Sequence, residues 1–379
     1  MRIALGIVSL SDHGGLQRDC LALADALQAR GHAVELFAAR CVPPWTGSQN
    51  VHVLPSRSPT NHGLDLAFAQ AFQGATRSRF DAVVGFNKMP GLDIYYCADP
   101  CLAAKPVPAW KRVLPRYRTR LALERACFDP SSMTATFMLS ADVLASYRKA
   151  WQTSDDRLFV LPPRIAAHRA RPDLRIPALR HEGRSGQGYG EADVVWLWLA
   201  TQPVTKGLDR VLAALPDQPR ARLLVVGLPA DDGKARPYGR LAEHLKVSDR
   251  VRWLGHRDDV PELMALADVL VHPARLEVTG QVILEAIVNG LPVIASAVCG
   301  FAHHVEAAGA GAVIAEPFDE RAFAGALTQA GDAVVRETWS AAALAYSQHH
   351  DFARGLDAAA EMIERISSNR RAKELHSER

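Results

Sequence analysis

The feature that most constrains this chain is a strand–helix–strand alternation at its start that returns in its second half. Ile3 to Leu10 is apolar, Gly14-Gly15 marks a turn, and Leu16, Cys20, Leu23 and Leu27 recur at i, i+4, i+7 and i+11. That spacing predicts a helix over Leu16 to Ala29, closed by Arg30-Gly31-His32, with a new apolar strand from Ala33 to Phe37. Parallel strands need a crossover, so a βαβ unit of this kind builds a parallel sheet with helices on its faces. Asp81 to Phe86 and Thr134 to Leu139 read as further buried strands. From Val194 the alternation resumes: strands Val194–Ala200, Arg222–Val226, Val251–Trp253, Val269–His272 and Pro292–Ala295, separated by helices Gly207–Leu215, Arg240–Leu245, Val260–Ala267 and Gln281–Asn289. The expected class is α/β, with two doubly wound Rossmann-like domains and ligand in the crevice at the carboxyl ends of the strands.

A length of 379 residues accommodates two domains, each large enough for its own core. After Leu161-Pro162-Pro163 the chain turns rich in Arg, Pro and Gly as far as Gly190, with Ser185 to Gly190 the loosest part and read as a surface loop. This predicts a first domain over residues 1–163 and a second over 164–345. Residues 346–366 are expected to form a helix returning to the first domain, and residues 367–379 a polar, fraying tail. The first strand has one Arg before a short apolar run and no small-residue cleavage site, so it reads as a buried strand rather than a leader. No run approaches the ~18–20 apolar residues that span a bilayer. Six scattered cysteines fit a reducing cytoplasm. Cys97 and Cys101 form the only close pair and lack a second pair at zinc spacing, so no metal site is expected.

Candidate chemistry lies at the strand–helix junctions. Gly14 and Gly15 precede the first helix, where backbone amides can approach an anion; the same glycines serve a plain tight turn. Neither a G-x-G-x-x-G nor a Walker A pattern is present. Asp19, within that helix, either faces the crevice or complements the helix dipole. Glu277 and Glu285 stand eight residues apart across a loop-to-helix transition, with amides at Thr279, Gly280 and Gln281 between them. Carboxylates in such a place accept the paired hydroxyls of sugars and ribose. Thr205-Lys206-Gly207 precedes another helix, and its lysine is either a solvated surface group or the counter-charge of a diphosphate. Arg169 and Arg257 are weaker cationic candidates.

Taken together, these elements resemble the retaining glycosyltransferases of GT-B type, family 4, whose donor-site signature is similar to Glu277-x7-Glu285 followed by Ala286-Ile287-x-x-Gly290-Leu291-Pro292. Gly14 to Asp19 (GGLQRD), Thr60 to Gly63, Gly85 to Asp93 (GFNKMPGLD) and Ala297 to His303 are similar to the lipopolysaccharide core glucosyltransferases that add the first glucose to inner-core heptose. The resemblance runs from residue 1 to about 366. It implies UDP-glucose as donor, a lipid-anchored lipopolysaccharide inner core as acceptor, and metal-independent transfer. It places Glu285 on the ribose, Glu277 with the amides of Thr279, Gly280 and Gln281 on the sugar hydroxyls, and Lys206 and Arg169 at the diphosphate. Gly14 and Gly15 come at the diphosphate or sugar, the backbone around Arg257 at uracil, and Asp19 and Asp99 at the reaction centre and acceptor side. Thr205 departs from the pattern, which often has a second basic residue there.

The net charge of +3, from 44 Lys+Arg against 41 Asp+Glu, is no argument for nucleic acid. It conceals an uneven distribution. Lys105 to Arg125 holds seven cations and the single anion Glu124, so this stretch carries +6 and the remainder −3. Lys105, Lys111, Arg112, Arg116, Arg118 and Arg120 interleave with Trp110, Val113, Leu114, Tyr117 and Leu121. That pattern suits either a solvated helix face or an anionic lipid surface, and a lipid-anchored acceptor favours the second, on the inner face of the inner membrane. The competing readings are another family 4 transferase with a different donor or acceptor, a sugar-nucleotide epimerase on the same fold, and a membrane-associated sugar-nucleotide binding protein without turnover.

Overall fold

A computed structural model describes residues 1–11, 14–41 and 51–377, with side chains to Arg370. The chain forms two compact units, one of Met1–Arg164 with Arg354–Arg379, the other of Ile165–Ala353.

The first unit holds a seven-stranded parallel sheet of β1 (Arg2–Leu10), β2 (Ala33–Cys41), β3 (Val51–Val53), β4 (Ala82–Gly85), β5 (Ile94–Cys97), β6 (Ala135–Met138) and β7 (Leu158–Val160). Their order is β3-β2-β1-β4-β5-β6-β7, so the winding reverses between β1 and β4. Helices α1 (Gly15–Ala29), α2 (Asn61–Thr76), α3 (Ala109–Arg112), α4 (Pro115–Phe128) and α5 (Ala141–Trp151) connect them. Cys20, Leu23 and Leu27 of α1 are fully buried against Ile3, Leu5 and Ile7, as the helical spacing requires.

The second unit holds β8 (Val194–Leu199), β9 (Ala221–Val226), β10 (Val251–Gly255), β11 (Val269–His272), β12 (Val293–Ser296) and β13 (Gly311–Ile314). They too are parallel, in the order β10-β9-β8-β11-β12-β13, which reverses between β8 and β11. Helices α6 (Pro177–Gly186), α7 (Leu208–Ala214), α8 (Arg236–His244), α9 (Val260–Leu266), α10 (Gln281–Val288), α11 (Ala302–Ala308), α12 (Glu320–Gln329) and α13 (Ala333–Gln348) belong to it. Trp196 and Trp198 fill one face of the sheet, Leu197 and Leu270 the other.

Three elements differ from the sequence expectation. The stretch around Ser185 is not a loop at its start: α6 runs to Gly186, and Arg184 is buried. Its guanidinium and that of Arg180 hold buried Asp268 at 2.8 and 2.5 Å, with Arg336 at 3.4 Å. Arg175 donates to the carbonyls of Met264 (2.9 Å) and Ala267 (3.1 Å), capping the carboxyl end of α9. A stretch rich in Arg, Pro and Gly is thus ordered by tertiary partners. Secondly, the one helix expected over residues 346–366 is divided between the end of α13, at Gln348, and α14 (Gly355–Ser377). Thirdly, α14 continues as helix past Ile366, through most of the stretch expected to fray; residues 378–379 lie outside the described residues. Its Ala359, Ala360 and Ile363 are fully buried in the core of the first unit.

Candidate functional site

Ligands of doubly wound sheets bind beyond the strands' carboxyl ends, where the winding reverses. In the second unit that place is bounded by the loops after β8 and β11, which carry Lys206 and Glu277. Gly207 has φ 68°, and a Cβ on it would lie 2.1 Å from the carbonyl oxygen of Pro273. Glycine therefore lets the two loops touch. The Thr205 carbonyl accepts the amides of Arg275 (2.7 Å) and Leu276 (3.3 Å), and Trp198 Nε1 donates to the Lys206 carbonyl at 3.0 Å.

Lacing the loops together sets up a charge cluster. Lys206 Nζ donates to Glu277 Oε2 at 2.6 Å and to the Leu276 carbonyl at 3.1 Å. His272, the last residue of β11 and almost wholly buried, brings Nε2 to 3.2 Å from the same Oε2. Val278 N donates to Oε1 at 3.1 Å. Burial alone would raise the carboxyl; the hydrogen bond with His272 and the charge of Lys206 outweigh it and hold Glu277 at about 2. Glu277 is therefore a fixed anion across the physiological range, and Lys206 a cation positioned beside it.

Next to this cluster, α10 begins without a side-chain cap; Gly280, at φ 82°, is its N-cap. A Cβ there would approach Ile283 Cδ1 to 2.9 Å and Glu277 Cγ to 3.4 Å. The positive end of the helix and the bend that carries Thr279, Gly280 and Gln281 thus sit against the Glu277 side chain. Further along α10, buried Glu285 receives Arg169 NH2 on Oε2 at 2.8 Å. Asn289, one turn on, donates Nδ2 to the carbonyls of Arg169 and Glu285, both at 2.7 Å, and accepts the Arg171 amide at 2.6 Å. The Arg169 segment is so stapled to α10, and Arg169 Nε is buried without a partner among the described residues. Arg257 stands apart: it is exposed after edge strand β10, with its guanidinium turned to Asp259.

The first unit carries the remaining candidates. Gly14 has φ 110°, and a Cβ on it would collide with Gln17 Oε1 at 2.2 Å; one on Gly15 would meet open space. The conformational demand falls on Gly14. Asp19 accepts Arg164 NH1 on Oδ1 (2.9 Å) and the Tyr96 hydroxyl on Oδ2 (3.2 Å). Burial raises its carboxyl above the ordinary aspartate range in spite of Arg164. Asp99 belongs to a different network: its carboxylate accepts the Tyr95 hydroxyl at 3.4 Å and its carbonyl the Tyr147 hydroxyl at 3.2 Å.

The basic stretch forms α3 and α4. Trp110, Lys111, Arg112, Val113, Leu114, Arg116 and Arg118 are exposed, while Lys105, Tyr117 and Arg120 are half-buried. Trp110 is 63% and Val113 70% exposed, large apolar groups ringed by cations rather than packed away. Glu124, the stretch's only anion, has no exposure at all. It pairs with Lys88 at 2.6 Å and accepts the amides of Leu102 (2.8 Å) and Ala103 (2.9 Å) and Trp151 Nε1 (3.0 Å). Among the described residues no helix is long and apolar enough to cross a membrane.

Sequence reasoning misses His272, Arg164, Tyr96 and Asn289. Only His272 leaves a trace, as a polar residue ending an apolar strand immediately before a proline.

The Glycosyl transferases group 1 family matches residues 191–333. The chain is 36% identical to the lipopolysaccharide glucosyltransferase WaaG of Escherichia coli K12 over 371 residues, 96% of this chain and 98% of that one. The crystal structure of WaaG, a glycosyltransferase involved in lipopolysaccharide biosynthesis, superposes with a TM-score of 0.88 at 35% identity, covering 95% of this chain and 99% of that one. Alr3699/HepE of Anabaena, solved with UDP-glucose, shares the fold at 18% identity and a TM-score of 0.71, over 97% and 100% of the two chains.

Proposed function

Because the chain belongs to the group 1 glycosyl transferases, we propose that it moves glucose from UDP-glucose to an inner-core heptose of lipopolysaccharide with retention at the anomeric carbon. Its fold is the GT-B arrangement of two Rossmann-like domains. The observation that carries the reading is the Lys206–Glu277–His272 cluster beside the open end of α10, at the place where the β8–β11 winding reverses. In this reading the second unit binds the donor and the first the acceptor.

Glu277 accepts glucose hydroxyls, the amides around Thr279, Gly280 and Gln281 donate to the sugar and diphosphate, and Glu285 takes the ribose hydroxyls. Lys206 faces the diphosphate, helped by Arg169, whose unpartnered Nε is a donor in reserve; Thr205 offers only a hydroxyl. The backbone near Arg257 receives uracil. Gly14 and Gly15 serve the donor's diphosphate or sugar, Asp19 the reaction centre and Asp99 the acceptor side. As the bond between the anomeric carbon and the β-phosphate oxygen breaks, the electron pair stays on UDP, where Lys206 and the amides stabilise it. The heptose hydroxyl bonds to the same face of that carbon and gives its proton to the departing phosphate oxygen. Trp110, Lys111, Arg112, Arg116, Tyr117 and Arg118, with Lys105 and Arg120 at their flank, hold the enzyme on the anionic inner face of the inner membrane, within reach of a lipid-anchored acceptor.

The test is Lys206→Ala with labelled UDP-glucose and heptose-terminated, glucose-lacking lipopolysaccharide. Losing one charge-assisted contact to the developing diphosphate costs about 3–4 kcal/mol, so kcat is expected to fall ~100–1,000-fold. Near-normal transfer by the variant would overturn the site. Donor binding without transfer or UDP release by the unaltered chain would leave a sugar-nucleotide binding protein instead.

A further inference from the structure

We propose that a cavity of about 300 Å³ in the first unit, walled by Asp65, Asn87, Lys88, Asp99, Lys105 and Arg120, binds the acceptor sugar together with an anionic substituent on it. This rests on the glycosyltransferase reading and adds to it the place and the chemistry of the acceptor.

The floor is built and neutralised. Lys88 gives its charge to Glu124 at 2.6 Å, and Glu124 in turn fixes the Leu102 and Ala103 amides. A buried ion pair with its remaining lone pairs satisfied is a rigid support rather than a ligand group. What the walls leave for a ligand are two carboxylates, Asp65 and Asp99, and two cations, Lys105 and Arg120. Arg120 Nε stands 3.7 Å from Asp65 Oδ2, an attraction too long for a hydrogen bond. Both groups therefore keep capacity for another partner. Asn87 Oδ1 accepts the Val8 amide at 2.7 Å, which leaves Nδ2 as the donor it can present.

Such a wall selects its ligand by exclusion. A neutral sugar would use the carboxylates and Asn87 but has no need of two cations; a simple anion would be repelled by Asp65 and Asp99. A sugar bearing a phosphate or carboxylate satisfies all of them, its hydroxyls on Asp65 and Asp99 and its charge on Lys105 and Arg120. The volume is at the lower end of the ~300–1,000 Å³ of small-ligand pockets, which suits one sugar and its substituent rather than an oligosaccharide. Lys105, in the cavity wall, also lies five residues ahead of Trp110 in the exposed Trp110–Leu114 stretch.

Soluble heptosides carrying no anion, a phosphate or a carboxylate test this free of any membrane effect, by calorimetric Kd and by KM for transfer. The unaltered protein is expected to bind at least one anionic heptoside tenfold or more tightly than the neutral one; which of the two is preferred identifies the anion. Lys105→Ala and Arg120→Ala should each raise Kd and KM for that ligand about tenfold, change those for the neutral heptoside less than twofold, and leave KM for UDP-glucose within twofold. Arg120→Lys should recover most of the loss, and Asp65→Asn should weaken both ligand classes. Equal binding of neutral and anionic heptosides, or unaltered Kd in the two alanine variants, would overturn the proposal. Because Kd is read without transfer, a protein that binds the anionic heptoside but moves no glucose would sink the glycosyltransferase reading and leave the cavity assignment standing.

Discussion

Replacing Glu277 by Gln removes the one negative charge shared by Lys206 and His272 while keeping its shape. The fall from the ordinary value of 4.5 to about 2 corresponds to about 3 kcal/mol at 1.36 kcal/mol per pH unit. The residue keeps only a small fraction of its surface, so solvent screening removes little of that. A carboxylate depressed on folding contributes stability that is complete above its unfolded value and disappears as pH falls toward its folded one. At pH 7 the variant should therefore be less stable than the parent by about 3 kcal/mol. At pH 3.5 the parent alone has lost about 1 kcal/mol through this group, and the gap should close to about 2 kcal/mol. Urea unfolding followed by tryptophan fluorescence reads this directly, since Trp196 and Trp198 lie in the core of the second unit and Trp198 bonds the Lys206 carbonyl. A gap below about 0.5 kcal/mol at pH 7, or one that stays constant down to pH 3.5, would show that the cluster does not hold Glu277 ionised.

Two further outcomes follow from the charge arrangement. Neutralising Lys111, Arg112, Arg116 and Arg118 together should remove about 4 kcal/mol of attraction to anionic vesicles at ~1 kcal/mol per cation, or ~1,000-fold in partition, and 0.5 M salt should mimic it in the parent; flotation with phosphatidylserine vesicles measures both, and undiminished binding refutes the lipid-facing role. Asp268→Asn strips Arg180, Arg184 and Arg336 of their shared buried partner, and thermal unfolding should register a loss of about 3–5 kcal/mol; a loss under 1 kcal/mol would mean that their backbone-carbonyl partners alone carry those arginines.

How much was legible depended on whether a residue's partner lay near it in sequence. The first βαβ unit could be read because its apolar run, its Gly-Gly turn and the i, i+4, i+7 spacing are local and agree. The loop–helix context of Glu277 and Glu285 was legible for the same reason. The order of Pro172 to Gly186 leaves no local mark in a stretch rich in Arg, Pro and Gly, because its arginines reach Asp268 and the end of α9, more than 80 residues on. In the sequence Glu124 reads as one charge in a basic run; its burial depends on Lys88 and Trp151, on separate elements. The Asp19–Arg164 pair spans 145 positions, and no periodicity announces a contact of that separation.

The path of the chain has a consequence for how the protein is made. The second unit is contiguous, Ile165 to Ala353, and can close its core as soon as it leaves the ribosome. The first unit is begun earlier but lacks Ala359, Ala360 and Ile363, which complete its core, and Glu364, which clasps Arg30 and His32. Its amino-terminal part must therefore wait, with apolar surface uncovered, for nearly two hundred residues of an already foldable neighbour to be synthesised. A premature stop shortly after Ala353 would spare the unit nearest the break and cripple the one that contains residue 1.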